Sequence, residues 1–278
     1  MGVLDNKVCV VTGAGGVLCS SFAEELAKNG AKVALLDLNK EAAQAVADRI
    51  NAAGGEAIAV GCNVLNHASL EEAHEAVVAA FGKTNILING AGGNNPKGTT
   101  DKEYYEEGDL DVEGLKTFFD LDPDGVRFVF DLNFAGTLMP TQVFAKDMAE
   151  AKDGIIINIS SMNAFCPLTK IPAYSGAKAA VSNFTQWLAV HFAKVGIRVN
   201  AIAPGFFVTK QNEALLKNPD GSFTPRSHKI LNATPMGRFG EAEELLGTLM
   251  FLTDNAKSGF ITGVVIPVDG GFSAYSGV

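Results

Sequence analysis

Val10-Val11-Thr12-Gly13-Ala14-Gly15-Gly16-Val17-Leu18-Cys19 runs from an apolar β-rich segment through a glycine turn into a helical pattern. Glycines let main-chain N–H groups come close to a ligand, and the helix that follows aims its leading N–H groups at the same place. A pyrophosphate suits such a turn. The spacing departs from the GxGxxG fingerprint because Leu18 holds its last glycine position, so on this stretch alone an ordinary tight turn stays open as the alternative. Asp37 ends the next β-rich run, 24 residues after Gly13, about where an acid meets an adenosine ribose. A carboxylate there binds ribose hydroxyls and repels a 2′-phosphate, which favours NAD over NADP. The alternative for Asp37 is a cap on the helical stretch 39–53.

Outward from this turn, short β-rich runs alternate with longer helical patterns. The runs are 8–11, 32–36, 57–61, 86–88, 155–159, 197–202 and 264–268; helical stretches include 22–29, 40–53, 69–81, 124–148 and 177–194. Near-continuous apolar strands between helices indicate a parallel sheet covered on both faces. The expectation is an α/β, doubly wound Rossmann fold, with about seven parallel strands in a single domain over 1–278. Such folds bind ligands beyond the carboxyl ends of their strands. Two long connections break the rhythm: an insertion at about 93–124 and a lid at about 205–235. Both leave strand ends, so both are expected beside the ligand. Cys62-Asn63-Val64 follows the third run and Asn89-Gly90-Ala91-Gly92 the fourth. Each reads as a cofactor contact or as a plain strand-to-loop turn.

A hydroxyl, a phenol and an ammonium follow in the order that carbonyl and alcohol redox chemistry needs. Ser161 ends the run Ile155-Ile-Ile-Asn-Ile159, and Tyr174-Ser-Gly-Ala-Lys178 comes thirteen residues later. Tyr174 and Lys178 are four apart, so on a helix they share a face. A lysine cation beside a phenol favours the phenolate and lowers its pKa. That prepares Tyr174 to take a proton from an alcohol or return it to a ketone. Ser161 can hold the same substrate oxygen. Singly each residue has a bland reading: a packed ring, a solvated lysine, a turn hydroxyl. The joint order behind a nucleotide-binding half favours catalysis.

Composition bounds the rest. Hydrophobic residues make up 47% of the 278, enough for a sizeable core. The net charge of −9 argues against nucleic acid or an anionic membrane as partner. Cys9, Cys19, Cys62 and Cys166 form no CxxC pair; Cys9 and Cys62 read as core packing, and free thiols in a reducing, cytoplasmic setting are expected. His67, His74, His191 and His228 lack metal-ligand spacing, so no metal is expected. His228 lies in the lid near Arg226 and Lys229, which makes it a candidate substrate contact. Met1–Lys7 lacks a secretory leader pattern and no run approaches the ~20 apolar residues that span a bilayer. Trp187, Phe184 and Phe192 read as helix packing, and the acids over 106–124 as a solvated surface. Surplus apolar positions on the two longest helical stretches suggest a homotetramer or homodimer.

The ordered set of Thr12-Gly13, Asp37, Asn89-Gly-Ala-Gly92, Asn133 in Asn-Phe-Ala-Gly136, Ser161, Tyr174-x-x-x-Lys178, Pro204-Gly205 and Val268-Asp-Gly-Gly271 resembles the short-chain dehydrogenase/reductase family over nearly the full length. The resemblance implies that Ser161, Tyr174 and Lys178 are catalytic. Asn133 would hold a water that links Lys178 to solvent. It also implies cofactor contacts at Thr12, Gly13, Gly15, Gly16, Val17, Leu18, Asp37, Asn63, Val64, Asn89, Ala91, Gly92, Tyr174, Lys178, Pro204, Gly205, Val208 and Thr209. The family's turn reads TGxxxGxG; here Val17 and Cys19 replace the later two glycines. Asn63 stands where an Asp is usual, and the insertion after Gly92 exceeds the common core.

Within the family, the Gly-Val-Leu-Cys19 turn ending, the Gly92-Gly-Asn-Asn-Pro-Lys97 loop and the acidic insertion resemble the sugar-acid branch of D-mannonate oxidoreductases, or fructuronate reductases. That implies an NAD-dependent oxidoreductase acting on D-mannonate and D-fructuronate. Another polyol, gluconate or secondary-alcohol dehydrogenase is the alternative, and a non-catalytic NAD-binding regulatory protein a further one. Asn94 and Asn95 would bind sugar hydroxyls, or else stabilise a turn with Pro96. Lys97, Lys170, Lys210, Arg226 and Arg238 are candidate partners for a substrate carboxylate.

Overall fold

The computed structural model describes residues 2–208 and 213–277; Thr209 and Lys210, named above, lie outside the described residues. Seven strands form one sheet: β1 (Val8–Thr12), β2 (Lys32–Asp37), β3 (Glu56–Gly61), β4 (Ile86–Asn89), β5 (Gly154–Ile159), β6 (Ile197–Pro204) and β7 (Val265–Val268). Their order across the sheet is β3-β2-β1-β4-β5-β6-β7, and every pairing is parallel. The chain builds outward from β1 to β3, then returns and builds the other way from β4. The reversal opens a crevice at the carboxyl ends of β1 and β4. The register sets Thr12 beside both Leu36 and Asn89, and Asn89 beside Asn158.

Successive strand residues feed opposite cores. Cys9, Val11, Val33, Leu35, Ile86 and Ile88 pack on one face with Phe22 and Leu26 of α1 (Val17–Lys28). Val46 and Ile50 of α2 (Lys40–Ala52) join that face. Val8, Val10, Ala34, Leu36 and Leu87 pack on the other with Leu70 and Val77 of α3 (His67–Phe81). Period-two alternation with both faces covered explains why the strands read as unbroken apolar runs. Phe22 and Phe144 are fully buried, and each such side chain contributes about 1.5–3 kcal/mol of burial energy.

Where helices begin differs from the expectation in ways that matter for chemistry. The glycine turn passes straight into α1 at Val17, five residues before periodicity shows. The stretch 124–148 is not one helix. It comprises α4 (Pro123–Phe130), a turn of π-helix (Asp131–Ala135) and α5 (Gly136–Ala151). The helix after β5, α6 (Pro172–Phe192), starts with proline at its first position, so Tyr174 sits in its first turn and Lys178 one turn on. Trp187 and Val190 of α6 are exposed, which departs from the expected packing role of Trp187; its ring stacks on His191.

The remaining helices are α7 (Glu213–Leu216), α8 (Pro225–Ala233), α9 (Leu246–Thr253) and α10 (Asn255–Ser258). The lid segment thus carries α7 and α8. The insertion is also ordered, and several of its acids do structural work instead of merely facing solvent. Asp101 accepts from the Lys116 N–H while its own N–H reaches the Lys116 carbonyl, which ties the insertion's two limbs. Asp109 is buried and bonds Lys102 at 2.7 Å; Asp120 forms a capping box with Thr117, and Asp122 caps α4. The described cysteines Cys9, Cys19 and Cys62 are buried free thiols, and Cys166 is exposed. Among the described residues no helix is long and apolar enough to cross a membrane.

Candidate active site

The glycine turn is shaped by close approach. Gly13 has φ +65°, and a methyl placed on it would lie 2.9 Å from the Ala91 backbone. The Gly15 N–H donates to Asp37 Oδ2 at 2.9 Å, and the Asn39 N–H donates to Asp37 Oδ1 at 2.8 Å. Asn39, not Asp37, caps α2 by accepting from the Ala42 N–H. Asp37 is half-buried beside the turn. At α1 the cap is Gly16, which offers no side-chain acceptor, and the first turn holds no acid. Its leading N–H groups are therefore suited to a ligand anion. Gly15, Gly16, Val17 and Leu18 are all half-buried along this edge. Cys19 explains the departure from the glycine pattern: its sulfur fills the space a Gly90 side chain would need. Burial pushes that thiol up to about 12, so it is inert packing.

Two residues expected to touch a cofactor lie beneath the groove. Thr12 is fully buried, and its hydroxyl accepts from the Gly90 and Ala91 N–H groups at 3.1 and 3.2 Å. It joins the β1 turn to the β4 loop. Asn89 is buried too; its amide donates to Thr141 Oγ1 and Asn158 Oδ1, both at 2.9 Å. Asn158 passes the chain to Thr185 on α6. This polar seam locks β4, β5, α5 and α6 together, and the sequence reading missed Asn158, Thr141 and Thr185. The periodic signal was present in Thr137 and Thr141, four apart on α5. Asn63 is exposed past β3, holding its own loop through the Leu65 N–H, while Val64 is buried near Gly136. Ala91 and Gly92 follow β4, and Gly205 and Val208 follow β6; Gly92 is exposed and the other three half-buried, while Pro204 is buried at the end of β6. The Gly205 N–H donates to the Val268 carbonyl, and a methyl on Gly205 would lie 2.6 Å from Asp269.

The structure brings Ser161, Tyr174, Lys178 and Asn133 together. Ser161 is buried just past the end of β5, with its hydroxyl beside the Tyr174 phenol. The Asn163 N–H also donates to Ser161 Oγ at 3.3 Å. Lys178 is buried; its Nζ donates to the Ile159 carbonyl at 2.8 Å and lies 5.7 Å from the Tyr174 ring centre. Asn133 is fully buried on the π turn. Its amide donates to the Gly93 and Val129 carbonyls at 2.7 and 2.8 Å, and its Oδ1 accepts from the Gly93 N–H at 3.2 Å. A π turn inside a helix commonly marks a functional position. Gly92 lets these groups converge: a methyl there would lie 2.7 Å from Asn133 Oδ1 and 3.1 Å from Lys178 Nζ.

The electrostatics correct one expectation. Burial pushes the Tyr174 phenol above its ordinary range, with the Ser161 hydrogen bond opposing, and the lysine does not hold it down. Burial also brings Lys178 down to about 8. Both shifts have one cause, the cost of placing charge in a crevice with few compensating partners. The signs give a pH test. A raised phenol pKa means that the phenolate needed for alcohol oxidation grows as pH rises, while the phenol needed for ketone reduction is lost. Turnover in oxidation should therefore climb from neutral into the alkaline range, and turnover in reduction should fall. A flat oxidation profile across that range would contradict the assignment. For stability, the unfolded lysine stays protonated up to its ordinary 10.5 while the folded one deprotonates near 8. The unfolded state then binds more protons in that window, so this group's contribution to stability rises with pH across it.

Several expected substrate contacts are committed locally. Asn95 Oδ1 accepts from the Lys97 N–H and caps a short turn, the structural alternative raised above. Asn94 donates to Thr99 Oγ1 at 3.1 Å. Lys97 lies 3.5 Å from Asp122, and Arg238 forms a two-pronged pair with Glu244. Arg226 is exposed on α8. No group of three metal-ligating side chains occurs among the described residues. His74 instead pairs with the buried Asp147 at 2.9 Å.

A doubly wound sheet, a glycine turn with an acid at the second strand, and a Ser–Tyr–Lys cluster at the crevice define an oxidoreductase of the nucleotide-binding type. The short chain dehydrogenase family model matches residues 7–220, and the chain belongs to that family. A solved structure from Haemophilus influenza, provisionally named a D-mannonate oxidoreductase and holding NAD, is 63% identical with a TM-score of 0.95, covering 99% of this chain and 98% of that one. An uncharacterized oxidoreductase of Bacillus subtilis is 56% identical over 99% of this chain and 98% of its own length. D-threitol dehydrogenase of Mycolicibacterium smegmatis is 31% identical over 97% of this chain and 94% of its own.

Proposed function

We propose that the protein is an NAD(H)-dependent oxidoreductase that interconverts a secondary alcohol and a ketone on a sugar acid, most simply D-mannonate and D-fructuronate. The observation that carries the reaction type is the convergence of the Ser161 hydroxyl, the Tyr174 phenol and Lys178, whose Nζ lies 5.7 Å from the Tyr174 ring centre and one helical turn away. The cofactor choice rests on fit: an open α1 terminus for a pyrophosphate and the Asp37 carboxylate for a ribose without a 2′-phosphate. Gly13, Gly15, Gly16, Val17, Leu18, Asp37, Asn63, Ala91, Gly92, Gly205 and Val208 would hold it. The substrate rests on similarity to the NAD-bound Haemophilus protein.

When bound, the nicotinamide supplies the hydride acceptor for oxidation and the donor for reduction. The chain's own residues handle the proton. In oxidation the Tyr174 phenolate oxygen takes the proton of the substrate hydroxyl as the carbon–hydrogen bond breaks. Ser161 holds the substrate oxygen and stabilises charge developing there. Lys178, still largely protonated at neutral pH, offers a cation behind Tyr174 and a donor for the nicotinamide ribose. Asn133 fixes the loop at Gly93 beside Lys178 and supports proton supply to it.

The similarity to D-threitol dehydrogenase favours a second reading, a neutral polyol substrate. A spectrophotometric assay separates the two. Purified protein should oxidise NADH in preference to NADPH with fructuronate, over tagaturonate, 5-ketogluconate and neutral keto-sugars. Neutral sugars outperforming every acid would reject the sugar-acid reading.

A further inference from the structure

Three segments that leave the carboxyl ends of β4, β5 and β6 meet at one carboxylate. Glu103 of the insertion accepts from Lys229 Nζ on α8 through both oxygens, at 2.9 and 3.0 Å. Lys229 and Arg226 are three apart on α8, so they share a face. Lys170, in the segment after β5, is four residues before Tyr174 and has a left-handed backbone, with φ +70°. Its carbonyl accepts from the Thr100 N–H at 2.9 Å, which pins the insertion against the loop that leads into α6. Lys229, Lys170 and Arg226 together hold the Glu103 carboxyl below its usual range, Lys229 most strongly.

Lys229 alone pairs directly with Glu103; Lys170 and Arg226 act on the same carboxylate, and among the described residues their side chains make no hydrogen bond or close ion pair. The Lys229 side chain is 67% exposed. An exposed ion pair of this kind is weak and exchanges readily. The cations of the insertion are already engaged: Lys102 with Glu106 and Asp109, Lys97 with Asp122, and Lys116 with the Pro96 carbonyl.

We propose that Lys170, Arg226 and Lys229 form the recognition site for the substrate's carboxylate, and that Glu103 is its internal stand-in, exchanged for the acid when substrate binds. The proposal rests on the sugar-acid reading above. It assigns the insertion and α8 a shared purpose, because the carboxylate is the one group that satisfies both at once. A neutral polyol has nothing to exchange for Glu103. Guanidinium and ammonium donors on a common face suit a carboxylate with two accepting oxygens.

The test uses the full chain with NADH, a six-carbon keto acid, and the neutral ketose of the same length. Arg226→Met and Lys229→Met should each lower the acid-to-neutral ratio of kcat/KM by about tenfold, mainly through KM for the acid. Lys229→Arg should restore the ratio, which separates recognition from a folding defect. Glu103→Gln should raise it several-fold by removing the competitor. Equal effects of the cation variants on both substrates would overturn the proposal while leaving the sugar-acid reading intact. A wild-type protein that prefers the neutral ketose would overturn both.

Discussion

Tyr174→Phe is expected to lower turnover by about 10²- to 10⁴-fold, the span that a positioned general acid–base contributes. The substitution removes one oxygen and keeps the ring, so α6 and its packing persist. It gives up only the phenol's polar contact with Ser161. Stability should therefore change little and NAD affinity less. The loss falls on kcat because the phenol matters where the substrate oxygen gains or gives up its proton. Ser161 stays beside the substrate but has no pKa near the working range, and Lys178 stands behind Tyr174, bonded to the Ile159 carbonyl. Neither can replace the phenol. Stopped NADH oxidation with normal NAD binding by fluorescence and a near-native melting temperature is the expected result. Wild-type turnover in a protein that binds NAD normally would remove Tyr174 from the mechanism.

How much of this was legible in the sequence follows from the range of each interaction. The strands are legible because burial on both faces writes itself into adjacent residues, as in Ile155–Ile159. Tyr174 and Lys178 are legible because helix geometry fixes positions four apart. The start of α6 was missed although Pro172 announces it, since periodicity becomes visible only further on. Asn133 reads as a surface residue by local pattern, yet it is buried. Its partners at Gly93 lie 40 residues away, across the insertion. Glu103 and Lys229 are 126 apart and carry no local signal at all. Thr12 and Asn89 show a different limit. A motif position names a residue without saying whether its side chain faces the groove or braces the backbone below it. The Tyr174 pKa fails for the same reason: spacing gives the neighbour, but burial sets the sign.

Gly92→Ala tests that bracing directly, and turnover should fall by about 100-fold, the cost of roughly 1 Å of misplacement at a reacting group. Gly92 is not held at a positive φ, so alanine is acceptable to the backbone itself. The conflict is with what the glycine lets approach. The new methyl would sit 2.7 Å from Asn133 Oδ1 and 3.1 Å from Lys178 Nζ. Asn133 cannot yield freely, because its amide is committed to Gly93 and Val129 on two sides. Lys178 would have to give up its bond to the Ile159 carbonyl or tilt away from Tyr174. Overpacking of this kind also costs about 1–3 kcal/mol of stability, read as a lower melting temperature. Gly93→Ala is the control. A methyl there would meet only Leu132 at 3.6 Å, an ordinary contact, and the backbone groups that hold Asn133 remain. It should keep most of its activity, whereas full kcat in Gly92→Ala would show that the spacing of Asn133 and Lys178 does not govern the proton's path.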